Sequence, residues 1–168
     1  MARPQDRKFV TADLQKCVGC QVCEYACSMA NEKTFNPSKS RIRTMRIKPM
    51  VSLAITCRHC EEPPCVSACP RNALSQEEKT GIIRVDEKAC NGCGWCISSC
   101  TFGAMNLHPT KHTVFTCNNC TDNQAKTPQC VKWCPEGALS YVSAETLAQR
   151  SRQNAVKSLL EDYDNKRK

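Results

Sequence analysis

Sixteen cysteines fall into four groups of four in this 168-residue chain, and that grouping limits what it can fold into more than any other feature. The first group is Cys17, Cys20, Cys23 and Cys27, a C-x2-C-x2-C-x3-C run. The second, Cys57, Cys60, Cys65 and Cys69, widens the middle gap to four residues. The third, Cys90, Cys93, Cys96 and Cys100, repeats the first spacing. The fourth, Cys117, Cys120, Cys130 and Cys134, holds nine residues in its middle gap, and no cysteine is left over. A cubane cluster presents four irons at the corners of a tetrahedron, each needing one thiolate. Three cysteines at x2 intervals let a tight loop wrap three irons, and a fourth beyond them begins a helix and points toward the other cluster of a pair. The pattern therefore predicts four [4Fe–4S] clusters with all sixteen cysteines as ligands. Zinc ribbons use two C-x2-C knuckles per ion and would leave a surplus cysteine in every group. A catalytic redox C-x-x-C needs one motif, not four.

Composition supports metal as the organising element. Leu, Ile, Val and Phe together are 28 of 168 residues, about 17% and below the ~20% at which chains tend toward disorder. Two Trp and three Tyr cannot make up the deficit. Such a chain folds when disulfides or metal centres supply crosslinks. The segment 1–16 has no apolar h-region, and no run of apolar residues is long enough to span a bilayer. The expectation is a cytoplasmic protein, whose thiols stay reduced and whose clustered Cys bind metal; export bound to a signal-bearing partner stays open. The formal charge of +8 suggests nucleic acid at first sight. Four oxidised clusters at about −2 each bring the loaded protein near neutrality, since a metal site's own charge is part of the electrostatics. No nucleic-acid role is expected.

Within the groups, Pro70 and Pro135 follow the fourth cysteine, whereas Ser28 and Thr101 stand there in the first and third groups, at the expense of a rigid turn. Gly19, Gly92 and Gly94 suit loops that bring backbone N–H groups to cluster sulfurs. His59 lies between two ligands, while His108 and His112 read as surface residues; none is grouped with carboxylates, so no catalytic residue is expected. Trp95 and Trp133 sit inside cluster loops, where they are expected to shield clusters from water.

Between groups the sequence predicts short strands at 9–11, 41–47, 81–85, 105–107, 113–115 and 138–142, the fourth and fifth flanking a hairpin turn at 108–112. Ser143 can N-cap a helix whose residues Leu147, Ala148, Ala155, Val156, Leu159 and Leu160 form one stripe, ahead of a charged tail at 162–168. That stripe suits either packing on its own domain or docking on a partner subunit.

The block from Cys57 through Cys-Glu-Glu-Pro-Pro-Cys to Pro70 resembles the C-x-H-C-x-x-P-P-C-V-x-x-C-P signature of DMSO-reductase-type iron–sulfur subunits. Gly92 to Cys96, and the stretch Pro128 to Leu139, resemble that family's third and fourth blocks; the likeness covers about residues 8 to 142. It implies an α+β fold of two nested bacterial-ferredoxin-like lobes, with short β-hairpins and short helices around four clusters, plus a C-terminal helix. The outer lobe would be 1–50 with 110–142, the inserted lobe 51–109, and the helix and tail 143–168. It also implies ligand sets that cross between groups: Cys17, Cys20, Cys23 with Cys134; Cys117, Cys120, Cys130 with Cys27; Cys57, Cys60, Cys65 with Cys100; and Cys90, Cys93, Cys96 with Cys69. By the same likeness the chain is a non-catalytic electron-transfer subunit between a catalytic subunit and a second redox carrier. The catalytic partner would be a molybdenum or tungsten bis-pterin enzyme, such as an aldehyde oxidoreductase or formate dehydrogenase, and the second carrier a flavin/NAD subunit or a ferredoxin. A hydrogenase or carbon monoxide dehydrogenase subunit, a freely diffusing polyferredoxin, and self-association end to end are the alternatives.

Overall fold

A computed structural model describes residues 7–49, 51–123 and 125–165. The first residues of the expected outer lobe and the last of the charged tail lie outside them. The described chain is α+β. Four two-stranded antiparallel sheets alternate with short helices, as expected for loops that must keep returning to metal sites.

Strand β1 (Lys8–Ala12) pairs with β8 (Leu139–Ser143), Lys8 opposite Ser143 and Ala12 opposite Leu139. Strands β2 (Arg43–Lys48) and β3 (Val51–Ile55), β4 (Leu74–Gln76) and β5 (Ile83–Val85), and β6 (Asn106–Leu107) and β7 (Val114–Phe115) form three hairpins. Every strand expected from the sequence is present; β3 and β4 were not expected. Helix α1 (Val22–Glu32) carries the third and fourth cysteines of its group, whereas α2 (Pro64–Ser67), α3 (Trp95–Ser99) and α4 (Gln129–Lys132) each carry only the third, with the fourth just past the helix end.

The buried apolar residues fall into two clusters, and cysteines make up a large part of both. One gathers Val10, Ile42, Ala54 and Leu139 around Cys23, Cys27 and Cys130. The other gathers Leu74, Ile83, Ala104, Met105 and Val114 around Cys57, Cys65, Cys96 and Cys117. With so few aliphatic side chains, polar links do much of the joining. Glu24 is buried on α1, accepts the Thr44 N–H at 2.6 Å and faces the Arg43 guanidinium at 3.8 Å, so its carboxylate is compensated. Ser28 is fully buried; its hydroxyl donates to the Tyr25 carbonyl at 3.1 Å and accepts the Asn36 N–H at 3.3 Å. The helix runs on through Ser28, whose hydroxyl ties α1 to the segment that follows it.

Arg84 on β5 meets Asp122 at 2.6 Å. Slight burial alone would raise the Asp122 carboxyl, but the Arg84 guanidinium and the Asn118 amide outweigh it and hold the group below its usual range. A carboxyl depressed on folding adds stability above its unfolded pKa of about 4, and that stability is lost as pH falls through the lower folded value. Both side chains are nearly half exposed, so Arg84→Ala should cost only about 0.2–1 kcal/mol. The loss, read from thermal melts near neutral pH, should shrink in high salt.

Helix α5 (Ala144–Asn165) begins as expected, with the Ser143 hydroxyl accepting the Thr146 N–H at 3.3 Å. Its first turns pack beside β8. Leu147 and Ala148 are half-buried, whereas Val156, Leu159 and Leu160 are 56%, 68% and 58% exposed. No described helix is long and apolar enough to cross a membrane.

Candidate iron–sulfur centres

Three hollows of similar size, about 310, 330 and 380 Å³, are each edged by four cysteines. Cys17, Cys20 and Cys23 share one with Cys134, beside Ala54 and Leu139. Cys57, Cys60 and Cys65 share another with Cys100, beside Ile83 and Met105. Cys90, Cys93 and Cys96 share the third with Cys69, beside Leu74 and Val114. The remaining four, Cys27, Cys117, Cys120 and Cys130, lie within electrostatic reach of one another. Burial pushes the Cys130 thiol well up, and the neighbouring Cys117, Cys27 and Cys120 add to it. In every hollow, three cysteines come from one loop and the fourth from a different group.

This donor set fits a [4Fe–4S] cubane. All sixteen cysteines are free thiols. Among the described residues no three Cys, His, Asp or Glu side chains converge closely enough to hold a single ion, which for zinc with bonds near 2.3 Å would require sulfurs under about 4 Å apart. A cubane spreads its four thiolates over four irons and so takes a wider ring of donors than a single ion. Burial drives the Cys23 and Cys65 thiols up to about 11 and Cys117 higher still, so each needs a metal cation to be held as a thiolate. Cys69 goes the other way. Its slight burial would raise it, but N–H groups of Arg71, Ala73, Leu74 and Asn72 surround the sulfur and lower it.

Backbone N–H groups are aimed at sulfur throughout. Ala73 donates to Cys69, Ala104 to Cys100 and Arg41 to Cys27, each at 3.3 Å; Val114 donates to Cys90 at 3.5 Å. Such bonds stabilise charge on the sulfurs and tune reduction potential. Ala73, Ala104 and Ala138 are each buried four residues beyond the fourth cysteine of their group. That repeated Cys-x3-Ala spacing is a sequence signal that reading the cysteines alone passes over.

The histidines and tryptophans divide. His59 is buried between two ligands, and burial pushes its imidazole toward the neutral form. His108, expected on the surface, is buried instead. Its Nδ1 accepts the N–H groups of Thr110 and Lys111 at 3.3 and 3.2 Å, and its ring meets Phe115 edge-on, so it caps the hairpin turn from inside. His112 is exposed, as expected. Trp95 borders the hollow of Cys90, Cys93 and Cys96. Trp133 borders none of the three; it is 59% exposed and lines a surface groove between α1 and α4 with Tyr25, Met29 and Phe35.

Comparison with known proteins agrees with this chemistry. Residues 48–144 match the 4Fe-4S dicluster domain. The polyferredoxin-like subunit of an aliphatic sulfonate oxidoreductase from Pyrococcus furiosus is 39% identical over 132 residues, 79% of this chain and 74% of that protein. The thiosulfate reductase electron transfer subunit PhsB of Salmonella typhi is 35% identical over 140 residues, covering 77% and 72%. The formate dehydrogenase-O iron–sulfur subunit of Escherichia coli is 27% identical over 190 residues, covering 96% of this chain and 63% of its own length. With the matched domain spanning more than half of its sequence, this chain belongs to the 4Fe-4S dicluster domain family of iron–sulfur proteins.

Proposed function

We propose that this chain is a non-catalytic electron-transfer subunit that wires a molybdenum or tungsten bis-pterin enzyme to a second redox carrier, in the cytoplasm. The observation that supports the reading is three hollows each edged by three cysteines of one group and one of another, in a chain of sixteen free thiols whose relatives are named as electron-transfer and iron–sulfur subunits of oxidoreductases. Each [4Fe–4S] cluster supplies a one-electron couple when bound. The ligand assignment we propose is Cys17, Cys20, Cys23 and Cys134; Cys27, Cys117, Cys120 and Cys130; Cys57, Cys60, Cys65 and Cys100; and Cys69, Cys90, Cys93 and Cys96. The lobes are proposed as nested, 1–50 with 110–142 around 51–109. The two buried clusters follow that division except for Ala54 in one and Val114 and Cys117 in the other, and the β2–β3 and β6–β7 hairpins straddle its boundaries.

Exposure orders the sites. Cys20 and Cys93 are the two exposed thiols, and they belong to different lobes. Cys117, Cys120, Cys130 and Cys27 are all buried, and Cys117 and Cys57 share one core. The proposed line therefore runs from the Cys20 end through the Cys27–Cys117 set, across to the Cys57 set, and out at the Cys93 end. The exposed length of α5 supports its reading as an arm for the partner subunit.

Purification of the native complex under anaerobic conditions tests the proposal. A second, larger subunit containing molybdenum or tungsten is the expected result, with iron and sulfide at about sixteen each per copy of this chain. A lone redox-active monomer on size exclusion would favour a free polyferredoxin, and copurifying nickel without molybdenum or tungsten would point to a hydrogenase or carbon monoxide dehydrogenase instead.

A further inference from the structure

Each of the three hollows has a different charged residue at its edge. Glu136 borders that of Cys17, Cys20, Cys23 and Cys134; Arg71 borders that of Cys90, Cys93, Cys96 and Cys69; and Arg58 borders that of Cys57, Cys60, Cys65 and Cys100. Glu136 and Arg71 are exposed, where water and salt screen their charge, and the Arg71 Nε donates to the Ala89 carbonyl at 2.6 Å. Near the fourth set stands Arg41, whose backbone N–H reaches the Cys27 sulfur and whose guanidinium has Glu32 at 3.9 Å as its counter-charge. Arg58 is half-buried and differs from all of these.

Its place in the sequence is between the first two cysteines of its group, Cys57 and Cys60. The guanidinium carbon lies 5.3 Å from the ring centroid of Phe9 on β1 and 5.9 Å from that of Phe102, two residues past Cys100. Both distances fall within the ~6 Å over which a ring face attracts a cation. Phe102 borders the same hollow as Arg58, so two rings from distant segments hold the charge beside the thiols. Among the described residues the guanidinium has no ion pair and no hydrogen bond; Glu61 borders a neighbouring surface opening with it but forms no salt bridge. Burial lowers the Arg58 pKa, and no carboxylate offsets that burial; an arginine nevertheless stays charged. A half-buried charge without a counter-ion is unfavourable in itself, and a side chain that only held the loop would not need one.

We propose that Arg58 is a potential-setting residue: its uncompensated guanidinium, held by Phe9 and Phe102 at the edge of the hollow of Cys57, Cys60, Cys65 and Cys100, raises the reduction potential of the [4Fe–4S] cluster bound there. The inference rests on the four-cluster reading above and adds to it a named charge at one site. Reduction adds one negative charge to a cluster that, with four thiolates, already carries about −2. A fixed cation nearby therefore favours the reduced form, and more so where solvent is partly excluded. Of the two inner sets, an electron then settles on the Cys57 side, because the cation beside the other set, Arg41, is paired with Glu32.

The experiment compares the reconstituted wild-type protein with Arg58→Gln and Arg58→Lys. Iron and sulfide content is measured first. An anaerobic redox titration followed by electron paramagnetic resonance then tracks the signal of the Cys57 set, identified as the one that Cys60→Ala removes. Arg58→Gln is expected to keep full iron and sulfide. At the wild-type midpoint of that signal it should lower the ratio of reduced to oxidised cluster roughly tenfold, a downward shift of about 59 mV for a one-electron couple, with the other signals nearly unmoved. Arg58→Lys, which keeps the charge, should restore most of the shift. A glutamine variant with full iron and an unchanged midpoint would overturn the inference. An equal shift of every signal would do the same, since it would report overall charge, and so would loss of iron from the glutamine variant, which would assign Arg58 to holding the loop. A wild-type protein containing zinc and no sulfide would instead remove the cluster reading itself.

Discussion

Chelating the iron from the purified protein under reducing conditions is expected to unfold residues 8–143 almost completely, with loss of the visible cluster absorption and of the native circular dichroism together. The cause lies in the two small cores. Apart from cysteines, one is built on Val10, Ile42, Ala54 and Leu139 and the other on Leu74, Ile83, Ala104, Met105 and Val114. A core of four or five modest side chains cannot offset the conformational entropy of ordering the loops around it, which costs about 1–2 kcal/mol per residue for backbone alone. Thiol–metal bonds join segments far apart in sequence and close those loops, so binding and folding become one transition. Added iron and sulfide should return both signals in parallel. A chelated chain that kept its native dichroism would mean that the hairpins and polar links such as Glu24–Thr44 suffice by themselves.

Replacing Cys134 by alanine is expected to abolish the same paramagnetic signal that replacing Cys20 abolishes, although 114 positions separate the two in sequence. Cys27→Ala and Cys120→Ala should abolish a second, different signal. In each variant about four of sixteen irons should go, with a stability loss beyond the 4–5 kcal/mol seen only for core, network or metal-site damage. The reason is the shared hollow of Cys17, Cys20, Cys23 and Cys134, and the mutual electrostatics of Cys27, Cys117, Cys120 and Cys130. If Cys134→Ala removed the signal of Cys120 instead, each group would be holding its own cluster, and the crossed assignment would fall.

The cysteine spacing made the chemistry legible because a cubane imposes a short, rigid rhythm on its ligands that few other sites share. The strands flanking each group were legible too, since each shows apolar or alternating residues next to a turn. Strand β3 (Val51–Ile55) escaped because it follows Pro49 and runs straight into the second group without a turn signal of its own, and β4 is three residues long. Ser28 and His108 were misjudged for one reason. Their value lies in hydrogen bonds to backbone groups, Asn36 for the serine and Thr110 and Lys111 for the histidine, and such bonds leave no periodic trace. The sharing of one buried core by Cys57 and Cys117 joins segments 60 positions apart and became visible only in three dimensions. The stripe on α5 was readable, but whether it would be covered was not, because that depends on what packs beside it.

The pairing of β1 with β8 has a consequence for how the molecule is made. Lys8 leaves the ribosome long before its partner Ser143 exists, a wait of about 7–27 s at 5–20 residues per second. The middle hairpins, β4 with β5 and β6 with β7, have no such delay, since their strands emerge nearly together. Biogenesis should therefore run from the inside outward. Through that interval the first cysteine group is a nascent, incomplete metal trap, and the moment at which Leu139–Ser143 zips onto Lys8–Ala12 is when the outer half can seal.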